Sequence, residues 1–90
     1  MKPSRWTWHA LDNLADREIP RPEAEMTQAD SEFNVPDQAH PRVLMRRYFD
    51  EILNQETLLR PVIEDTPVER VMITVYKTSQ IDKYLKGLEP

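Results

Sequence analysis

The first third of the chain carries apolar residues at the spacing of amphipathic helices. At 100° per residue, one side of residues 8–19 is apolar, and it consists of Trp8, Leu11, Leu14, Ala15 and Ile19. Pro20 ends this helix. A second helix is expected from Pro22, a favourable first-turn residue, to the segment 31–34. Two helices are therefore predicted between about residues 8 and 32.

The period changes after Val35, because Pro36 and Pro41 prevent a continuous helix. Runs rich in branched and aromatic residues cover residues 42–49, 57–64 and 69–76, and short polar turns join them. Such short connections favour an antiparallel meander of three strands, with a weak fourth at residues 35–38. Pro61 cannot donate to a ladder, so an edge position or a bulge is expected there.

These elements predict an α+β fold in one domain, residues 1–90, with N-terminal helices packed on one face of an antiparallel three- or four-stranded sheet. The sheet would occupy residues 35–77, and a short C-terminal helix, capped by Ser79, residues 79–87. The predicted core comprises Trp8, Leu11, Ala15, Ile19, Met26, Val71, Ile73 and Val75. The last three alternate along one strand and are expected to face the helices.

Composition excludes several classes of protein. The single glycine, Gly87, cannot build a P-loop or a dinucleotide-binding turn, and the absence of cysteine removes disulfides and thiolate chemistry. A net charge of -4 argues against nonspecific duplex binding. Only two histidines are present, without metal-ligand spacing, so neither a metal nor another cofactor is expected. With no signal-peptide pattern or membrane-length apolar run, a cytoplasmic protein is expected.

Two regions carry candidate chemistry. His9, Asn13 and Arg17 share one side of the first helix, where imidazole suits general acid–base work and guanidinium suits phosphate binding; the alternative is a solvated helix face. Arg46 and Arg47 point to opposite sides of their strand, so only one can join such a site. Trp6 could stack on a nucleobase.

The second region is residues 74–84, where hydroxyls, lysines and tyrosines gather as a strand gives way to a helix. Its candidates for anion binding are Tyr76, Lys77, Thr78 and Lys83. The alternative is a capped helix whose tyrosines seal the sheet edge.

The chain resembles a bacterial family catalogued as domain of unknown function 4258 over nearly its whole length. The resemblance rests on His9-Ala10, Asn13-Leu14 and Asp16-Arg17-Glu18-Ile19, on Pro36-Asp37, Arg47-Tyr48-Phe49 and Leu58-Leu59-Arg60, and most specifically on residues 75–84. The departures are Asn13 in place of arginine, Glu18 in place of glycine, and Pro61 in place of an apolar residue. The family is distantly similar to BrnT and RelE-like toxin nucleases, which implies a RelE/barnase-like fold.

The resemblance implies a metal-independent ribonuclease of toxin–antitoxin type, in which the RNA 2′-hydroxyl attacks the adjacent phosphate. His9, Arg17, Tyr76 and Thr78 would be catalytic, with Arg46 or Arg47, Lys77 and Lys83 binding RNA. The alternative is a non-catalytic regulatory or interaction domain of the same fold. Its partner would be an antitoxin-like protein or a second copy of the chain.

Overall fold

Most of the helical residues lie in the first third of the chain, and most of the strand residues follow them. A computed structural model describes residues 2–36 and 42–88. The elements in chain order are β1 (Ser4–Trp6), α1 (Trp8–Asp16), α2 (Arg21–Ala29), β2 (Phe33–Val35), β3 (Arg42–Asp50), β4 (Gln55–Asp65), β5 (Arg70–Thr78) and α3 (Ile81–Leu85). The α+β class is thus confirmed, and β3, β4 and β5 include the three predicted runs almost entirely. Of the weak strand expected at residues 35–38, only Val35 lies in β2, and residues 37–41 lie outside the described part.

The sheet has five strands in the order β1-β5-β4-β3-β2. β1 pairs in parallel with β5, while the other pairs are antiparallel. The prediction of antiparallel strands therefore holds for β2–β5, but it was wrong in leaving out a fifth strand, β1, which is parallel. β1 was not predicted because a three-residue strand is too short to show a period of hydrophobic positions. Its pairing with β5 also joins residues that lie more than 60 positions apart.

The two faces of the sheet are covered by different elements. On one face, α1 and α2 pack on Leu44, Leu59 and Met72, together with Tyr48 and other buried residues. On the opposite face, α3 packs on Val43, Met45, Leu58 and Val62. Successive residues of a strand point to opposite sides, so both faces of β3 and β4 are apolar at their centres. The two N-terminal helices therefore share one face, as predicted, while α3 lies on the other face.

The predicted alternation of Val71, Ile73 and Val75 is wrong, because β5 contains an irregularity. Ile63 of β4 pairs with Met72, and the adjacent Val62 pairs with Thr74, so Ile73 is left without a partner. Side chains before and after this bulge therefore change faces. As a result Met72 and Val75 share the helix-side core, while Ile73 is only partly buried.

The irregularity expected at Pro61 lies beside it, in the register shift between Val62 and Ile63. Pro61 itself is buried in the central strand β4, so an edge position was the wrong expectation. Proline donates no amide hydrogen, and on the side of Pro61 that faces β3 the ladder has no pair at this position.

The first helix is rotated relative to the predicted orientation. Trp8 is 83% exposed, Ala15 is also exposed, and in α2 Met26 is 53% exposed, so these three core predictions were wrong. Ala10, Asn13 and Leu14 are buried instead. The helix ends at Asp16 rather than at Ile19, because Glu18 adopts a positive φ of 53° that cannot continue a helix.

The C-terminal helix is shorter than predicted. α3 begins at Ile81 after Gln80, and no side chain caps it, so the assignment of Ser79 as the cap was wrong. Gly87 follows the helix with φ of +88°, a conformation suited to glycine after a helix end. Leu85 is the buried residue through which α3 contacts the sheet.

Candidate functional site

Side chains of α1 and of the two residues that cap it complete the edge of β5 where β1 ends. Thr7 caps α1 and donates from its hydroxyl to the Met72 carbonyl, 3.0 Å away. Farther along, the Val75 amide donates to Asn13 Oδ1 at 2.9 Å, and Arg17 Nη1 donates to the Val75 carbonyl at 2.7 Å. Side chains thus satisfy the peptide groups that a neighbouring strand would otherwise bind.

Of the four predicted catalytic residues, the structure brings Arg17 and Tyr76 together. The Arg17 guanidinium carbon lies 4.6 Å from the centre of the Tyr76 ring, and Tyr76 is 41% exposed. His9 is exposed two turns earlier, about 12 Å from Arg17 along the helix axis at 1.5 Å per residue. Thr78 accepts a hydrogen bond from the Gln80 amide at 3.0 Å. Asn13, on the same row, is buried rather than solvated.

The predicted RNA-binding cations contact protein groups. Arg46 joins β3 to α2 through an ion pair with Glu23 and a 3.1 Å bond to Thr27. Arg47 lies on the opposite face, as expected, in an ion pair with Glu32 of 2.7 Å.

Each of the remaining predicted aromatic and basic groups contacts a different side chain of the protein. Lys77 pairs with Asp50 at 2.7 Å, while Lys83 is exposed on α3, 5.5 Å from the Tyr84 ring. Trp6 is half-buried, packs against the helix-side core, and lies 5.4 Å from the Arg21 guanidinium.

A buried carboxylate holds the turn between β3 and β4. Asp50 is 2% exposed; its Oδ1 accepts from the amides of Ile52 (2.9 Å) and Leu53 (3.0 Å). Its Oδ2 accepts from Tyr48 Oη at 2.9 Å and from Lys77 Nζ at 2.7 Å. Burial alone would raise the Asp50 pKa, but the hydrogen bonds from Lys77, the Leu53 amide and Tyr48 lower it to about 2. Burial raises the Tyr48 pKa, and its bond to this carboxylate adds to the effect.

This turn presents three large apolar side chains to solvent. Phe49 is 59%, Ile52 62% and Leu53 47% exposed, and together they form what we term the hairpin surface. Beside it lies a concavity of about 420 Å³ whose lining includes Pro20, Pro22, Phe49 and Ile52. The segment 50–56 is predicted only as a polar turn, although Ile52 and Leu53, close to Phe49 at the end of the preceding run, are a signal against that interpretation.

A second concave surface lies on the α3 side of the sheet, with a volume of about 460 Å³. We term it the Arg60 groove; the described residues that line it are Val35, Pro36, Val43, Met45, Arg60, Tyr84, Lys86 and Leu88. The Arg60 guanidinium carbon stacks 3.9 Å from the centre of the Tyr84 ring. Residue types alone did not indicate Arg60 as a candidate, although it is the only charge between Thr57 and Ile63 in a run of otherwise buried residues.

Within residues 2–36 and 42–88, no three His, Asp or Glu side chains are placed to hold a metal ion. Over the same residues, no helix has the length and apolar character needed to cross a membrane.

Comparison with known proteins finds no family model, no curated protein and no solved structure that matches this chain.

Proposed function

We propose that this chain is a non-catalytic interaction domain that binds a partner protein through the hairpin surface. The observation that carries the proposal is the combination of three exposed apolar side chains with a turn that is already ordered. Asp50 holds the amides of Ile52 and Leu53, so little conformational entropy is lost when a partner binds. Exposed apolar groups gathered at one place are typical of protein-binding surfaces.

The charges around the hairpin surface favour a basic partner. Glu56 lies directly across from Phe49 in the β3–β4 ladder, and Glu51 is in the turn itself. Among the described residues, neither carboxylate has a hydrogen bond or ion pair, and both are exposed. A second copy of the chain, with its own net charge of -4, would bring like charges together. A basic amphipathic segment therefore suits the surface better than self-association.

The test uses a synthetic amphipathic helix of leucine and lysine, with a peptide in which glutamate replaces lysine as comparison. Binding is followed by fluorescence anisotropy. We expect the basic peptide to bind and Phe49→Ser or Ile52→Ser to weaken it at least about 10-fold, since buried aromatic and aliphatic anchors dominate interface energies. Val68→Ser is the matched control, because Val68 is 74% exposed in the turn at the other end of β4. Equal binding of both peptides, or equal loss in the control, would contradict the proposal.

A metal-independent ribonuclease of toxin–antitoxin type is the second candidate, and the contact between Arg17 and Tyr76 favours it because two predicted catalytic residues meet there. The two N-terminal helices on one face of an otherwise antiparallel run β2–β5 support a RelE/barnase-like arrangement, to which the parallel β1 is an addition. The predicted cations Arg46 and Lys77 support it less, because both are paired with carboxylates.

Purified protein incubated with RNA and a chelator distinguishes the two functions. A ribonuclease would leave cyclic phosphate ends and would lose about 100-fold in rate on His9→Ala. Arg17→Ala is unsuitable, because Arg17 bonds the Val75 carbonyl, so Tyr76→Phe serves as the second variant. If the unmodified protein cleaves RNA and inhibits growth on expression, and these variants abolish the cleavage, the ribonuclease is the function and the interaction domain is not. If the unmodified protein neither cleaves RNA nor inhibits growth, the ribonuclease proposal is excluded.

A further inference from the structure

Arg60 differs from every other arginine of the chain in having no hydrogen-bonded partner within the described residues. All eight arginines lie in that part of the chain, and the other seven donate to a carboxylate, a hydroxyl or a carbonyl oxygen. Arg60 Nε is fully buried and unpaired. A buried hydrogen-bond donor without an acceptor destabilises a fold. The other seven arginines avoid this cost, so the missing acceptor of Arg60 points to a group from outside the described residues.

The surroundings of Arg60 prepare its guanidinium for an anion. Arg60 lies in the middle of the central strand β4, between β5 and β3, and it pairs with Tyr76 of β5. Its guanidinium stacks on the Tyr84 ring at 3.9 Å. Stacking uses the planar face of a guanidinium, whereas hydrogen bonds to a carboxylate are made by its N–H edge. The stack therefore orients Arg60 without satisfying its donors.

The remaining walls of the Arg60 groove are apolar. Val43 and Met45 belong to the buried cluster of this face, and Leu88, 40% exposed, closes one side. Lys86 adds a second cation, and among the described residues no aspartate or glutamate contributes to the lining. A volume of about 460 Å³ lies within the range of small-molecule sites, about 300–1,000 Å³.

We propose that the Arg60 groove binds an aliphatic monocarboxylate of medium chain length. The carboxylate accepts hydrogen bonds from Arg60, and the chain lies along Val43, Met45 and Leu88. Aliphatic and thioether walls adapt to a flexible chain, and Tyr84, the one aromatic side chain among the described lining residues, is already stacked on Arg60. A polyanion such as RNA fits less well, because the groove offers two cations on a protein of net charge -4.

Octanoate is the probe, and nuclear magnetic resonance of ¹⁵N-labelled protein is the measurement, because the Arg60 Nε–H group gives its own signal. We expect octanoate to shift that signal saturably and to shift the amides of Val43 and Met45. Octanol has the same chain without the charge, acetate the charge without the chain, and benzoate an aromatic body. Each is expected to bind at least about 10-fold more weakly than octanoate, because each lacks one of the matched features.

Arg60→Met removes the guanidinium while retaining an unbranched apolar side chain, and it is expected to weaken octanoate at least about 10-fold. Arg21→Met is the matched control: Arg21 is an exposed arginine of α2, on the opposite side of the sheet, and its loss should leave octanoate binding unchanged. The proposal is overturned if Arg60→Met binds octanoate as well as the unmodified protein does, or if octanol binds equally. Tighter binding of benzoate, or no saturable shift of the Arg60 signal in the unmodified protein, overturns it as well.

Discussion

Replacing Asp50 by asparagine should destabilise the domain strongly at neutral pH, and progressively less as the pH falls. The substitution keeps the shape of the side chain and an acceptor for the turn amides, but it removes the charge that pairs with Lys77. Both side chains are largely shielded from water, with 2% of Asp50 and 13% of Lys77 exposed. Removing one partner of a buried ion pair costs about 3–5 kcal/mol, because the other charge is left without compensation.

The pH dependence follows from the Asp50 pKa, which is about 2 in the folded chain against an ordinary value of 3.8. Because the folded value is the lower one, this carboxylate stabilises the fold fully above pH 5 and loses that effect as the pH falls through 2. At 1.36 kcal/mol per pKa unit, the difference amounts to about 2 kcal/mol. The pKa values of Asp65 and Glu32 are also lowered, by bonds to Lys2 and Arg47 respectively, so the raw stability curve contains their contributions too.

Urea unfolding followed by circular dichroism at a series of pH values isolates Asp50 when the variant is subtracted from the unmodified protein. The difference in unfolding free energy should shrink by about 2 kcal/mol between pH 5 and pH 2. Glu51→Gln is the control, since Glu51 is exposed in the same turn, and its difference curve should stay flat and within about 0.5 kcal/mol of zero. A flat difference for Asp50→Asn would refute the proposed ionic role of this carboxylate.

Three further outcomes follow from the edge of β5 and from α1. Asn13→Ala should cost about 1–3 kcal/mol in urea unfolding, because the Val75 amide and the Thr74 hydroxyl lose their buried acceptor; a loss below about 0.5 kcal/mol would contradict that role. Trp8→Ala should change the free energy of unfolding by less than about 0.5 kcal/mol, because Trp8 is exposed. A loss of about 3 kcal/mol or more, as for a buried aromatic residue, would contradict that placement. Arg17→Ala should lower the melting temperature, whereas an unchanged value would mean that its bond to the Val75 carbonyl contributes nothing.

The long strands were predictable from the sequence, and the reasons lie in their composition. In β3, β4 and β5 the apolar, branched residues form runs that proline and polar turns separate, so chain position alone indicates them. The faces of those strands were less predictable. One unpaired residue, Ile73, reverses the alternation of β5, and no local signal marks that residue as a bulge.

The candidate site was predictable only in part, for a similar reason. Residue types alone selected Arg46 and Lys77 as cations for a phosphate, but ion pairing depends on Glu23 and Asp50, which lie 23 and 27 positions away. Arg60 is a single charge in an apolar run, and its residue type alone does not indicate a binding site. Only the tertiary structure shows that the Arg60 guanidinium lacks a hydrogen-bonded partner among the described residues, whereas the other seven arginines each have one.

By itself, the sequence determined the class of the fold, the two N-terminal helices, the three long strands and the exclusion of cysteine and glycine-loop chemistry. Local spacing and the conformational limits of proline and glycine suffice for those features. Only the tertiary structure decided that β1 pairs with β5, that Asn13 and Arg17 complete a sheet edge, and that Phe49 faces solvent while Asp50 is buried. Each of these depends on which distant residues meet, and a hydrogen bond or a buried contact between distant residues leaves no periodic trace in the chain.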